Sequence, residues 1–254
     1  MKDLAFENQS FLWGNEAGPI RILSEYLHPK AEFKEHGITD TIVVFGSARI
    51  PSPETQRTNP NPQLSSLSHY YEEAREFSRL ISEWAEVLKK EIPDRNLHIC
   101  TGGGPGIMEA GNRGAKEAGS KSVALNIVLP HEQHPNPYVN KELTFEFHYF
   151  FMRKLWFMKT CRGMIAFPGG FGTFDELFET LTLVQTGKKS RIPILLYGKK
   201  FWSEVINFKK LAEMKLISEE DLHLFGYADT PIEALRFFQE KIRFELTHSE
   251  GTKT

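Results

Sequence analysis

The sequence predicts an α/β fold of the Rossmann-like type: a doubly wound, mostly parallel sheet with helices on both faces. Short apolar runs alternate with longer amphipathic segments along the chain. Two of the apolar runs lead through glycine-rich turns into helical sequence. The chain has 254 residues, of which 40% are hydrophobic, and this is enough for one large α/β core.

The predicted elements alternate in a regular order. Apolar runs predict strands at residues 41–45, 97–100, 122–127, 163–167 and 193–197. Helical patterns predict helices over residues 68–90, 106–118, 150–161 and 173–186, and a further helix from residue 200. Because strands and helices alternate, we expect right-handed crossovers and a ligand beyond the carboxyl ends of the strands.

Stretches outside this alternation define the predicted domain limits. Residues 1–40, with a predicted helix near residues 20–33, form an N-terminal helical extension that packs on the core. Residues 41–245 form the Rossmann-like domain, and residues 246–254 a flexible polar tail. Residues 51–66 contain four prolines and predict an inserted loop, which either shapes substrate access or is disordered.

Composition excludes several kinds of partner. The net charge of −2 gives no overall attraction to nucleic acid or to an anionic membrane. No apolar run approaches membrane-spanning length, and the charged N-terminus lacks the apolar core of a signal peptide. Cys100 and Cys161 are expected to be reduced and buried, so the sequence predicts a cytoplasmic protein without nucleic-acid or membrane partners.

The segment FPGGFGTFDE at residues 167–176 joins a tight turn to a helix start that carries acidic residues. Its glycines are Gly169, Gly170 and Gly172. A helix that begins near Thr173 offers free backbone N–H groups to an anion such as phosphate, with Asp175 and Glu176 in its first turn. Ordinary helix capping is the alternative, but capping does not require three glycines.

A second glycine-rich turn, TGGGPG at residues 101–106, follows another short strand. Its glycines, among them Gly103 and Gly104, allow the backbone to approach a ligand closely. The helix that follows has small residues on one face. Two strand–turn–helix units of this kind in one chain predict a nucleotide-binding site.

The motifs GGGPGIMEA and PGGFGTFDE resemble those of the Lonely Guy (LOG) family of cytokinin riboside 5'-monophosphate phosphoribohydrolases, whose hallmark is PGGxGTxxE. The hallmark is complete in residues 168–176, and the resemblance extends over residues 41–211. It implies a Rossmann-like, commonly dimeric protein that hydrolyses the N-glycosidic bond of a nucleoside 5'-monophosphate, such as AMP or a cytokinin riboside monophosphate. Family members are often labelled lysine decarboxylases, a label that implies a pyridoxal cofactor. The sequence has no signature for that cofactor, and no cofactor is expected.

The resemblance also suggests site residues. Gly46 and Ser47 match the family's Gly-Ser pair after the first strand, where Ser47 is placed to bond phosphate, ribose or base. Arg49 either compensates phosphate charge or is a solvated turn residue. A helix with an Arg-Lys pair places Arg153 in the catalytic role, binding phosphate or orienting the acidic residue, with Lys154 next to the site.

Cleavage of an N-glycosidic bond develops positive charge on the ribose, so a carboxylate nearby stabilises the transition state and can position or deprotonate water. Glu176 is the candidate for this role. Asp175 points about 100° away from it on a helix, so only one of the two faces the ligand. Glu179, one turn beyond Glu176, is a candidate for binding ribose hydroxyls, with a solvated surface carboxylate as the alternative.

The loop at residues 129–138 contains His131, Glu132 and His134, which suggest a metal, but nothing completes a set of three or four ligands and no metal is expected. An ordinary loop, a lid or a base-contacting loop are the remaining interpretations. At the level of function, a non-catalytic nucleotide sensor or carrier of the same fold is the alternative to the hydrolase. Release of adenine from AMP distinguishes the two.

Overall fold

A computed structural model describes residues 4–129 and 134–248, with side chains described as far as residue 243. Within these ranges, seven strands form one sheet in which every neighbouring pair is parallel. In chain order the strands β1 to β7 are Asp40–Phe45, Leu97–Thr101, Ser122–Ile127, Thr144–Phe147, Cys161–Ala166, Ile194–Tyr197 and Gly226–Ala228. The predicted α/β class is confirmed, and the sheet is entirely parallel.

The helices surround the sheet on both faces. In chain order the described α-helices α1 to α11 are Gln9–Leu12, Gly18–Glu35, Pro53–Thr58, Pro62–Ser65, His69–Glu91, Ile107–Glu117, Phe150–Thr160, Phe171–Gln185, Lys199–Val205, Phe208–Glu213 and Pro231–His248. Short 3₁₀ helices occupy Asn15–Ala17, Lys141–Leu143 and Glu220–His223. None of the described helices has the length and apolar composition needed to cross a bilayer.

The strand order is β4-β3-β2-β1-β5-β6-β7, so the chain winds outward in both directions from the β1/β5 pair. Phe45 pairs with Ala166 at the carboxyl ends of these two strands. This is the switch point of the sheet, where the loops that leave neighbouring strands diverge and leave a crevice for a ligand. The fold therefore places the turns after β1 and β5 on either side of one crevice.

Alternation along the buried strands supplies two hydrophobic cores. In β1, Val43 and Phe45 face the core beneath α2, α7 and α8, while Ile42 and Val44 face the core beneath α5, α6 and α11. Helices α5 and α6 pack so closely that a Cβ on Gly114 would overlap the backbone of α5, and the glycine therefore permits this contact. The parallel sheet is thus buried on both faces.

Several elements differ from the sequence prediction. Residues 51–66, expected as a loop, contain two short helices, each with proline at its start. The side chains of Ser52 and Asn61 cap these helices, which explains why a proline-rich segment folds locally. The strands β4 and β7 were not predicted; both are short, and they form the two edges of the sheet. Helix α11 continues through His248 into the predicted tail, whose residues 249–254 lie outside the described residues.

Candidate active site

The candidate site lies at the switch point and is built from three interlocked turns. After β1, the backbone N–H of Ser47 donates to the carbonyl of Pro168 in the turn after β5 (3.0 Å). The carbonyl of Ser47 accepts from the N–H of Ile107 at the start of α6 (3.1 Å). Ser47 therefore joins both glycine-rich turns to the end of β1 through its backbone.

Two glycines allow this close approach. A Cβ on Gly46 would lie 2.6 Å from the Ile107 side chain. Gly106 has a φ of +69°, and a Cβ there would also overlap the backbone of Ser47. The close approach predicted for Gly46 is therefore made to the start of α6, and Gly46 and Ser47 also line the cavity.

The turn after β5 leads directly into the start of α8. This helix begins at Phe171, two residues before the predicted start at Thr173, because the carbonyl of Gly170 accepts the N–H groups of Thr173 (3.0 Å) and Phe174 (3.1 Å). The N–H groups of Phe171 and Gly172 precede these first helical bonds, so they are available to an anion. The acidic residues consequently lie in the second turn of the helix.

Gly170 has no structural need for glycine in the protein alone. Its φ of −101° is accessible to any residue, and an added Cβ would meet no atom of the described residues within 4 Å. A Cβ on Gly169, in contrast, would overlap the side chain of Thr173. Gly169 is thus required for packing, whereas the space beside Gly170 belongs to the cavity.

Glu176 is a buried carboxylate that faces the cavity. Its residue is 4% exposed, and within the described part of the chain its Oε2 has no hydrogen-bond partner. Burial raises the pKa of Glu176 to about 7, opposed by the positive charges of Arg153 and Lys154. A carboxylate with a pKa near neutrality and an unused oxygen is suited to proton transfer or to stabilising positive charge.

Arg153 reaches the same cavity from α7. Its Nε donates to the carbonyl of Leu125 at 2.8 Å, and its guanidinium lies 5.1 Å from the centre of the Phe157 ring. A Cβ on Gly102 would lie 2.5 Å from its Nη2, so that glycine leaves space for the guanidinium. Burial lowers the pKa of Arg153, and the negative charge of Glu176 opposes this shift. The two predicted catalytic residues are therefore electrostatically coupled across one cavity.

Lys154 on α7 and Glu179 on α8 form a salt bridge outside the cavity. The Nζ of Lys154 lies 2.8 Å from Glu179 and 2.9 Å from Asp175, joining α7 to α8. Neither Lys154 nor Glu179 lines the cavity. The predicted divergence of the adjacent acids is seen, since Asp175 is exposed while Glu176 is buried.

The second glycine-rich turn is held by a buried polar network that sequence reasoning did not find. The side-chain amide of Asn136 donates to the carbonyls of Gly103 and Gly104 (both 3.0 Å) and to Asn112 Oδ1 (2.9 Å). Thr101 also donates to Asn112, at 2.7 Å. Gly103 and Gly104 do not line the cavity, so their place is in this network beside the site. Asn112, a polar residue on the small-residue face of α6, was the sequence feature that could have indicated this network.

The cavity between these elements has a volume of about 800 Å³. Of the predicted site residues, those that line it are Gly46, Ser47, Arg153, Gly170, Gly172, Thr173 and Glu176. The lining also includes Arg49 and a set of apolar side chains: Phe45, Met108, Ile127, Leu129, Phe150, Phe171 and Phe174. The lining thus combines glycines, the cations of Arg49 and Arg153 and the acid Glu176 with apolar and aromatic side chains, a mixture typical of small-molecule sites.

The predicted absence of a metal concerns residues that are only partly described. His131 and Glu132 lie outside the described residues, while His134 lies within them. Among the residues described, no group of three or more His, Cys, Asp or Glu side chains is placed to hold a metal ion.

Comparison with known proteins identifies the family. Residues 108–238, just over half of the chain, match the family described as "Possible lysine decarboxylase". The chain belongs to this family, the LOG family predicted from the motifs. The match includes Arg153, Glu176 and the complete PGGxGTxxE segment.

Two curated relatives indicate which chemistry occurs among similar proteins. The chain is 34% identical over 127 residues to the pyrimidine/purine nucleotide 5'-monophosphate nucleosidase of Escherichia coli K12, covering 46% of this chain and 28% of that protein. It is 27% identical over 152 residues to the "Probable cytokinin riboside 5'-monophosphate phosphoribohydrolase LOGL6" of Oryza sativa subsp. japonica, covering 58% and 60%. The matched regions therefore span less than two thirds of these relatives.

A solved structure supports the fold. The molybdenum cofactor binding protein of Rippkaea orientalis superposes with a TM-score of 0.52 at 17% identity, covering 80% of this chain and 96% of that protein. At this identity the likeness concerns the Rossmann-like fold alone.

Proposed function

We propose that the protein hydrolyses the N-glycosidic bond of nucleoside 5'-monophosphates, releasing the free base and ribose 5-phosphate. The observation that carries the proposal is the pairing of Glu176, buried and with a raised pKa, with Arg153 beside an open helix N-terminus. The names of the curated relatives agree with this reaction class. AMP and cytokinin riboside monophosphates are the proposed substrates.

In this mechanism the start of α8 holds the 5'-phosphate. The N–H groups of Phe171 and Gly172 bond its oxygens, and the helix dipole favours its negative charge. Thr173 adds a hydroxyl and Arg49 a cation at the same cavity. Binding energy from this non-reacting group is used to orient the ribose toward Glu176.

Glu176 then acts where the charge develops. As the bond to the base breaks, its electron pair goes to the base nitrogen, and the Glu176 carboxylate stabilises the positive charge at C1′. The water oxygen bonds C1′ while Glu176 accepts a proton from this water, and that proton then passes to the departing base. The guanidinium of Arg153 keeps a positive charge next to Glu176, which opposes the effect of burial and sustains the ionised form. The apolar and aromatic side chains of the lining receive the base.

The family description also names lysine decarboxylation, which requires pyridoxal phosphate bound to a lysine amine. The residues described do not fit that cofactor. No lysine is among those that line the cavity, and the nearby Lys154 is paired with Asp175 and Glu179. A non-catalytic carrier, the other alternative, differs from the hydrolase in releasing no base from bound AMP.

The phosphate anchor predicts strong discrimination between AMP and adenosine, which share the base and the scissile bond. We expect kcat/KM for adenosine to be lower by about two to four orders of magnitude, because charge-assisted bonds to the phosphate are lost and the ribose is no longer oriented. Base release is measured by chromatography for both substrates, and pyrimidine and purine monophosphates are then compared in the same assay. Equal efficiency on adenosine and AMP would contradict the anchor.

A variant at Gly170 tests the same anchor from the side of the protein. Gly170→Val adds a side chain to cavity space that no atom of the described residues occupies, so it should lower AMP cleavage more than tenfold while leaving the thermal transition nearly unchanged. Gly18→Val is the matched control. Gly18 is the first residue of α2, and an added Cβ there would meet only the Arg21 side chain, at 4.0 Å, among the described residues. Full AMP cleavage by Gly170→Val would place the phosphate elsewhere.

The raised pKa of Glu176 predicts the pH dependence. If the carboxylate must be ionised, kcat/KM for AMP should fall as pH drops below about 7 and reach a plateau above it. The residual kcat/KM of a Glu176→Gln variant should not show this fall below pH 7. A profile in which wild-type activity instead declines between pH 6 and pH 8 would mean that Glu176 works as an acid.

We also propose that the protein is a homodimer or higher homo-oligomer. Apolar side chains beside the cavity remain exposed in the single chain, most of all Phe171 at 97%, together with Phe150, Phe151, Leu155 and Phe178. Phe151→Glu with Leu155→Glu should shift sedimentation at micromolar concentration from the oligomer to the monomer, whereas glutamates at exposed Val87 and Ile232 should not. A monomeric wild-type protein would contradict this proposal.

A cytoplasmic location is proposed from the cysteines. Cys100 and Cys161, both within the described chain, are buried and are not joined by a disulfide. This is the state expected in a reducing compartment.

A further inference from the structure

The N-terminal extension contacts the helix that carries Arg153. On α2, the two carboxylate oxygens of Glu25 accept the backbone N–H groups of His148 (2.7 Å) and Tyr149 (3.3 Å), immediately before α7. Tyr149 is the N-cap residue of α7 and provides no side-chain cap of its own. A carboxylate from a segment more than a hundred residues away in sequence therefore holds the entry to this helix, where the helix dipole favours negative charge.

This contact leads directly to Arg153. The carbonyl of Tyr149 accepts the backbone N–H of Arg153 at 3.2 Å, so Glu25 and Arg153 bond to the same peptide segment. The side chain of Arg153 is itself held in place, since its Nε donates to the Leu125 carbonyl at 2.8 Å.

Further contacts hold the rest of α7 to the extension. The indole N–H of Trp156 donates to the backbone carbonyl of Glu25 (3.0 Å), and the Phe33 ring packs against Trp156 with centroids 5.1 Å apart. Lys159 donates to the hydroxyl of Tyr26 at 2.9 Å. The helix is thus attached at its first turn and along one side. Of the contacts named here, only those of the Glu25 carboxylate bind the backbone immediately before the helix.

We infer that Glu25 is a positioning residue for Arg153, through which the N-terminal extension sets the geometry of the active site. The inference rests on the proposed catalytic use of Arg153. The extension precedes the family match at residues 108–238, so this chain supplies the constraint from outside the matched region. The proposed phosphate anchor is a separate element, formed by the N–H groups of Phe171 and Gly172 at the start of α8.

The test compares Glu25→Ala and Glu25→Gln with the control Glu35→Ala. Glu35 is an exposed glutamate on the same helix. We expect Glu25→Ala to lower kcat for AMP roughly tenfold with KM within about twofold, because the guanidinium shifts while the phosphate anchor remains. Glu25→Gln should recover part of the loss, since its amide oxygen accepts one of the two N–H groups. Glu35→Ala should match the wild type.

Hydrogen exchange provides the second readout. Amides of residues 148–153 should exchange faster in Glu25→Ala than in Glu35→Ala, with exchange in α8 unchanged. Unchanged exchange in residues 148–153 would overturn the inference, as would faster exchange with wild-type kcat or a KM effect as large as the kcat effect. A wild-type protein that cleaves no nucleotide would overturn the proposed function alone, and the exchange comparison would still decide whether Glu25 holds this helix.

Discussion

Glu176→Gln should abolish most base release while keeping nucleotide binding. The substitution preserves the volume of the side chain but removes the charge that stabilises C1′ and the group that accepts a proton from water. We expect kcat for AMP to fall by about 10²- to 10⁴-fold, the range seen when one such group is removed. The Kd for AMP, measured by calorimetry, should change by less than about threefold, since the phosphate anchor lies at the start of α8.

Stability provides an internal control for this variant. Folding raises the pKa of Glu176 from 4.5 to about 7, so the folded state favours the protonated form. The wild-type protein therefore loses stability as pH rises from about 4.5 to 7, by about 3 kcal/mol in total from this group. Gln is always neutral and avoids this cost, so the variant should melt at a higher temperature at pH 8 and at a similar one at pH 4. A destabilised variant at pH 8, or turnover close to the wild type, would contradict the role given to Glu176.

Arg153→Ala should have the second largest effect. It removes the positive charge that keeps Glu176 ionised, so kcat should fall by about 10²-fold and the pH at which activity is half-maximal should move above 7. Arg153→Lys should restore only part of the activity, because an ammonium lacks the planar guanidinium that bonds the Leu125 carbonyl while facing the cavity.

Two comparisons separate this effect from a general loss of positive charge. Arg236→Ala, at an exposed arginine of α11, should leave both kinetic constants unchanged. Lys154→Ala should cause a smaller loss than Arg153→Ala, because Lys154 pairs with Asp175 and Glu179 outside the cavity. An Arg153→Ala variant with both constants within about twofold of wild type would make Arg153 a structural residue only.

Local sequence features predicted most of the fold and several residues that line the candidate cavity. The strand Ser122–Ile127 was predicted with its observed bounds, because a continuous apolar run is a sufficient signal for a buried parallel strand. Gly170 and Glu176, which line the cavity, were proposed from a motif that combines a turn, a helix start and charged residues, and Arg153, which also lines it, was proposed from the family resemblance. Such features depend on neighbours in the sequence and can therefore be interpreted without a structure.

Contacts between distant segments were outside the reach of that reasoning. The bonds from Asn136 to Gly103 and Gly104, and the pairing of Lys154 with Glu179, bring together residues whose proximity follows only from the packing of the chain. Gly103 and Gly104 do not line the cavity because this packing places them in the network with Asn136. The contact of Glu25 with the backbone before α7 is a further example, since no sequence feature near Glu25 indicates that it lies beside this helix.

The central claim is hydrolysis of a nucleoside 5'-monophosphate at the Arg153/Glu176 cavity, and the products of AMP test it most directly. Wild-type protein and Glu176→Gln are incubated with AMP in phosphate-free buffer, and adenine, ribose 5-phosphate, adenosine and inorganic phosphate are quantified together. The account predicts equimolar adenine and ribose 5-phosphate from the wild type and almost none from Glu176→Gln. Intact AMP, adenosine with phosphate, or equal adenine release by the two proteins would contradict it.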